Sequence, residues 1–402
     1  MIIKGRVLSK EGFVTREVQT VNGRIVKVGN SLSDDSFYEL GKDSILTSGI
    51  FDSHVHLRDL DQSYKETVMS GTYHLLSTGV LGAAAMPNTS PPLDSAEKLI
   101  LYNAIISNTA HIKTSVYGLL TPKSNANELF KMAEHCNNKF KAFQSESVGS
   151  GFFTNNNELS DKILMLPKNA EIRIHCEDPK LLKDYSSNWN PSNPITHYDA
   201  RPNIVEEEGV RFVVEEVLPK RPDLSFVICH LSSKEGLNIV QSGKKNNKNL
   251  FCETAYQYLY FNKEDFNTKK SLIKCNPSIK TEEDRLALIK GLNDGVIDYL
   301  VSDHAPHNHD EKITKQLSGM PSYDCGVLGW LINKGVNQQK LLNAASLNLK
   351  PSWEIKEGNP LMAIVLNMEG RMTTSTDLAS LASDSPWIGE TLPSLYGVFR
   401  GE

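Results

Sequence analysis

The sequence predicts an α/β fold, a (β/α)8 TIM-like barrel with a small β domain formed from both chain ends, and three observations predict it. Eight short apolar runs rich in β-branched residues follow one another from residue 49. Longer amphipathic stretches lie between them. The two chain ends alternate apolar and polar residues, the pattern of half-buried strands. Strands that alternate with helices indicate a parallel sheet, and eight is the count that closes a barrel.

Taken in order, residues 1–48 carry turn signals at Glu11-Gly12 and Asn22-Gly23, which divide them into short antiparallel strands. The barrel runs are Gly49–His56, Val80–Met86, Ile112–Leu120, Phe140–Phe143, Glu171–Cys176, Leu224–Leu231, Leu250–Thr254 and Ile297–Asp303. Helices are expected at Ser95–Ser107, Ile204–Val217, Lys234–Gln241 and Glu282–Asn293, and the Lys/Asn-rich stretch Ser242–Asn249 reads as a solvated loop. Beyond about Lys350, short strand-like pieces with Gly and Pro return and are expected to pair with the N-terminal strands. The division is therefore 1–48 and 350–402 as the small β domain and 49–349 as the barrel. A chain of 402 residues has room for both, since such barrels take about 250.

Composition narrows the functional classes. Hydrophobic residues make up 39% and charged residues 23%, ordinary for a globular protein. A net charge of -5 argues against a nucleic-acid partner. No run of 18 apolar residues points to a membrane span, and the N-terminus lacks the apolar stretch of a signal peptide. The six cysteines form no CxxC pair, so reduced, mostly buried thiols in a cytoplasmic protein are expected.

Chemistry in such barrels sits at the C-terminal ends of the strands. The first run ends in His54-Val55-His56, and side chains two apart on a strand share a face. The fifth ends at His175, the sixth at His230 and the eighth at Asp303, while the fourth passes through Lys141. Any one of these could be a satisfied core polar group. Together they place four imidazoles, a carboxylate and an amine on one face, and burying such groups without partners costs several kcal/mol. Neutral imidazole and carboxylate suit zinc, with nickel, cobalt or manganese as alternatives. Lys141 can join them only if its amine takes up carbon dioxide and becomes an anionic carbamate. Lys139 is nearer the strand start and fits less well.

This constellation resembles the amidohydrolase superfamily: HxH after the first strand, carboxylated Lys after the fourth, His after the fifth and sixth, Asp after the eighth. Finer motifs resemble those of dihydroorotase. They are His54-Val55-His56-Leu57-Arg58, Met86-Pro87-Asn88-Thr89, Lys274-Cys275-Asn276-Pro277 and Asp303-His304-Ala305-Pro306-His307. The resemblance implies two Zn2+ ions bridged by carboxylated Lys141, one held with His54, His56 and Asp303, the other with His175 and His230. It implies that Asp303 is the general base and then acid, and that Arg58, Asn88, Asn276 and His307 bind the substrate. A planar guanidinium suits a carboxylate, and the two amides can both donate to and accept from a cyclic amide. His304 carries no assigned role, and His74, His111, His135, His197 and His309 read as helix or loop residues.

The implied activity is reversible hydrolysis of dihydroorotate to N-carbamoyl-aspartate in pyrimidine biosynthesis, on a small-molecule substrate. A homodimer, or association with a transcarbamoylase, is the implied assembly. Two alternatives remain: a hydantoinase- or allantoinase-like enzyme, which usually lacks the Arg58 equivalent, and a silent homologue serving as a scaffold. The sequence departs from the family at Ser48, Leu60-Asp61, Ala255-Tyr256-Gln257 and Pro321-Ser322. The departures at Gln257 and Ser322 bear on the choice of ring.

Overall fold

A computed structural model describes residues 1–9, 12–34, 36–147 and 149–401. Each apolar run of the barrel forms a strand at or within a few residues of its expected place. They are Ile50–Val55, Val80–Ala85, Lys113–Val116 with Gly118–Leu119, Lys139–Phe143, Glu171–His175, Ser225–Ile228, Leu250–Ala255 and Tyr299–Val301. The first three pair in parallel, as do the short piece Gly118–Leu119 and the five strands after it. A parallel bridge between Val55 and His304 closes the other seam. That seam joins the first strand to the residue after Asp303.

The third run, expected to be one strand, breaks at Tyr117. The reason lies inside the barrel, where Tyr117 donates from its hydroxyl to the Ser53 carbonyl at 3.0 Å and its ring faces the Arg173 guanidinium at 5.3 Å. Among the expected helices, Ala96–Thr109 is capped by Ser95. Glu282–Asp294 begins with a Thr281/Asp284 capping box and stops at Gly295, whose left-handed φ of 74° suits glycine. The segment Ile204–Val217 is an α-helix, Asn203–Arg211, followed by a π-turn, Phe212–Val217.

Both chain ends share one sheet. Its order runs Thr391–Arg400, Met362–Met372, Ser44–Ser48, Ile2–Ser9, Gly12–Val21 and Arg24–Gly29, with Phe37–Glu39 beside Ile2–Ser9. Asn22-Gly23 is the expected tight turn, both residues having positive φ, and joins Val21 to Arg24. Of the Glu11-Gly12 turn, Glu11 lies outside the described residues. The C-terminal pieces are two long strands rather than several short ones; register shifts after Val365 and Asn367 hide their alternation in the sequence. Between them the chain crosses to the barrel, where buried Trp387 donates from Nε1 to the Pro321 carbonyl at 2.9 Å. No helix among the described residues is long and apolar enough to cross a membrane.

Candidate metal centre and substrate cavity

The site is built where strands end. His54 and His56 point their Nε2 atoms at the same oxygen, Asp303 Oδ1, at 3.5 and 3.0 Å. Their other nitrogens are held from behind. His54 Nδ1 donates to Glu253, and His56 Nδ1 lies 2.7 Å from Asn88 Oδ1. Since a carboxylate and an amide oxygen only accept, Nδ1 carries the proton in each ring and Nε2 keeps its lone pair toward Asp303. His175 is oriented the other way. Its Nε2 meets Glu177 at 2.8 Å, which leaves Nδ1 facing His230 Nε2 at 3.0 Å. His230 and Asp303 take left-handed φ values of 33° and 49°, as does Arg58 at 56°. Such strain is kept only where surrounding contacts enforce it, and it clusters at functional sites.

Burial favours the neutral form of three of these rings. Burial pulls the His56 imidazole down to about 4, and burial also lowers His175 and His230, the latter helped by the charge of its neighbours. Burial works to raise the carboxyls of Glu253 and Glu177. His54 and Arg173 overcome it at Glu253, and Arg201 and His175 at Glu177, holding both at about 2. Arg173 lies wholly inside the barrel, between the Tyr117 and Tyr299 rings, and bonds Glu253 and Ser53. Burial likewise opposes ionisation of Asp303, and His56, His54 and Lys141 lower it.

The donor set fits a divalent cation. His54, His56 and Asp303 form a compact group of three buried ligands, and the His175 and His230 nitrogens that face one another at 3.0 Å can share one proton or, both unprotonated, offer lone pairs to a cation. His54, Cys229 and Glu253 also lie close together. Glu253 is engaged by His54 and Arg173, however, which marks it as the group that orients His54. Lys141 is fully buried and donates to Cys229 Sγ at 2.9 Å. It is near enough to act on the charges of Asp303, His175 and His230.

Above these residues lies a cavity whose wall includes Arg58, Asn88 and Asn276 as well as the four imidazoles and Asp303. Arg58 is 2% exposed; burial lowers it to about 10, so it remains a cation at neutral pH. Its Nε reaches the Pro306 carbonyl at 3.4 Å. Asn276 accepts from Ser318 Oγ at 2.9 Å. His307 is placed differently: it is off the cavity wall, with Nδ1 at 3.1 Å from Glu311 and Nε2 at 2.9 Å from the Ser318 carbonyl. It thereby positions the Ser318-Gly319 wall. Ser322 donates its N–H to His304 Nδ1 at 3.1 Å and also lies off the wall, as does Gln257.

Sequence reasoning missed Glu177, Arg173, Cys229 and Glu253. A signal existed for two of them. Glu177 is two residues after His175, as His56 is after His54, and Glu253 is a carboxylate inside an apolar strand. Replacing Glu177 with Gln is expected to weaken metal affinity about 10- to 100-fold, the range for groups that orient a metal-binding His. Metal titration of the variant against the parent reads this directly.

A barrel with imidazoles and a carboxylate converging at its strand ends is the arrangement that the resemblance to amidohydrolases implied. Known proteins similar to the chain point to a narrower likeness. A dihydro-orotase-like family model matches residues 43–236. The dihydroorotase of Macrococcus caseolyticus (strain JCSC5402) is 27% identical over 403 residues, covering 96% of this chain and 93% of its own. That of Fusobacterium nucleatum subsp. nucleatum is 28% identical over 413 residues, covering 98% and 95%. The L-hydantoinase (dihydropyrimidinase) of Arthrobacter aurescens superposes with a TM-score of 0.87 at 18% identity over 100% of this chain and 94% of its own, which shows the shared fold. The chain is thus similar to dihydroorotases along nearly its whole length, the family its motifs resemble.

Proposed function

We propose that this chain is a dihydroorotase. The single observation that carries the reading is the buried, charged Arg58 on the wall of the cavity that also holds His54, His56, His175, His230 and Asp303. A buried guanidinium facing a small cavity needs an anionic partner there, and dihydroorotate carries one carboxylate while hydantoin carries none. The residues that would hold metal are His54, His56, carboxylated Lys141, His175, His230 and Asp303. Bound there, two zinc ions would supply Lewis acidity and a water acidic enough to react near neutral pH.

The chain's own residues do the rest. Arg58 binds the ring carboxylate and so fixes which ring amide lies over Asp303. Asn276 offers its amide to the ring, and Asn88, while orienting His56, adds a second polar edge. His307 supports this wall through Ser318. Asp303 takes the proton of the attacking water and returns it to the ring nitrogen as the C–N bond breaks, so water is divided between the new carboxylate and the new ureido N–H. Holding the ring in this pose removes much of the entropic barrier.

The family resemblance supports the finer points of this reading: zinc as the metal, a homodimer or association with a transcarbamoylase, and a cytoplasmic location. The same reading divides the chain at 48/49 and 349/350. The test is a panel of substrates with zinc- and bicarbonate-supplemented protein. Turnover of dihydroorotate and of N-carbamoyl-aspartate, with dihydrouracil and hydantoin slower by about 10³-fold or more, is expected. Preference for the uncharged rings would overturn the reading.

A further inference from the structure

A second cavity of about 680 Å³ adjoins the first and shares with it Ser147, Asn276 and Ser318. Its size is within the range of small-molecule sites. Nothing in the mechanism above uses it, yet its lining is not that of a passive cleft. Trp189 forms an aromatic wall, and Lys274 lies over its ring with Nζ 4.2 Å from the centroid. Lys274 donates to the Gln316 carbonyl at 2.7 Å and has no carboxylate partner among the described residues. Arg201, also on the lining, is engaged by Glu177 and donates to the Glu146 carbonyl at 3.0 Å.

His197 faces the same space edge-on to Trp189, with ring centroids 5.5 Å apart. It is 3% exposed, and its Nδ1 has no hydrogen-bond partner. An unpartnered buried donor or acceptor is costly unless something fills the site. The local field agrees. Burial and the nearby Arg201 lower the Lys274 ammonium to about 8, and the chamber's lining carries Lys183, Arg201 and Lys274 against the one carboxylate of Glu146 among the described residues.

We propose that this chamber is a carboxylate-binding antechamber, in which the anionic substrate or product rests on Lys274 beside Trp189 and His197 on its way past Asn276. Which carboxylate passes through rests on the dihydroorotase reading. The anion site itself does not, because Lys274, His197 and Trp189 are independent of the metal ligands. A positive chamber at the mouth of a site raises the local concentration of an anion and speeds its capture. Lys274 therefore contributes to association and not to the bond-breaking step.

The chain has four tryptophans, and an anion that draws Lys274 off the indole should change the fluorescence of Trp189. Succinate titrated into the metal-loaded protein is expected to give a saturable change. The change should persist in Arg58→Met and Lys274→Arg, disappear in Trp189→Phe, and weaken about 10-fold or more in Lys274→Met. In steady state, Lys274→Met should lower kcat/KM about 5- to 10-fold at low ionic strength, flatten its salt dependence and leave kcat within about twofold. No saturable signal, an equal signal in Lys274→Met, or a response to inorganic phosphate without one to succinate would overturn the proposal. The titration reads binding alone, so it still decides the anion site in a chain that fails to turn over dihydroorotate.

Discussion

Replacing Asp303 with Asn is expected to abolish almost all turnover, by about 10³- to 10⁴-fold in kcat, the upper end for loss of a general base. The substitution keeps the shape and removes the carboxylate that faces both His54 and His56. Burial opposes ionisation of this carboxylate and His56, His54 and Lys141 lower its pKa, which suits the proton acceptor of the proposed mechanism. An amide cannot accept a proton at any pH reached in an assay. Asn also weakens the cation site, so metal content must be measured on the same sample. A variant that retains metal yet loses turnover isolates the proton transfer. A variant with near-parental kcat would remove Asp303 from the mechanism.

Arg58→Met is expected to lower kcat/KM for dihydroorotate on the order of 10³-fold, about 4 kcal/mol, typical of removing one partner of a buried charge pair. Methionine keeps most of the apolar stem, so loss of the guanidinium dominates. Burial works in the same direction: at 2% exposure, water does little to replace the missing partner, and the substrate carboxylate would be desolvated without compensation. Activity on an uncharged ring should change little, within about twofold, because such a ring makes no demand on this charge. Equal losses on both kinds of ring would mean that Arg58 supports the cavity wall rather than the carboxylate.

Much of this architecture is legible in the sequence because the strands are local. Val-Leu-Gly-Ala-Ala-Ala and Glu-Ile-Arg-Ile-His declare themselves over five or six residues, and a polar side chain closing an apolar run marks the face of the proposed site. What stays hidden depends on partners far away in the chain. Glu253 reaches back to His54, and Arg173 joins Glu253 to Ser53 across the barrel interior. No local pattern announces such pairing. His307 lies in a motif whose resemblance implied substrate binding, yet its two nitrogens are taken by Glu311 and Ser318, contacts visible only once the loop is folded. His197 reads in the sequence as an ordinary helix or loop residue, and only the fold sets it, with one nitrogen unpartnered, on the lining of a chamber. Cys229 is one of six buried thiols, and only the fold sets it against Lys141.

The most direct test of a metal-dependent dihydroorotase is to follow metal and turnover together in one preparation. Protein purified without chelator, analysed for bound metal and assayed with dihydroorotate, should hold about two zinc-like ions per chain. It should lose activity in step with their removal and regain it when zinc and bicarbonate are restored. Undiminished turnover in protein stripped of metal would contradict the account, as would full metal loading with no turnover of dihydroorotate in either direction.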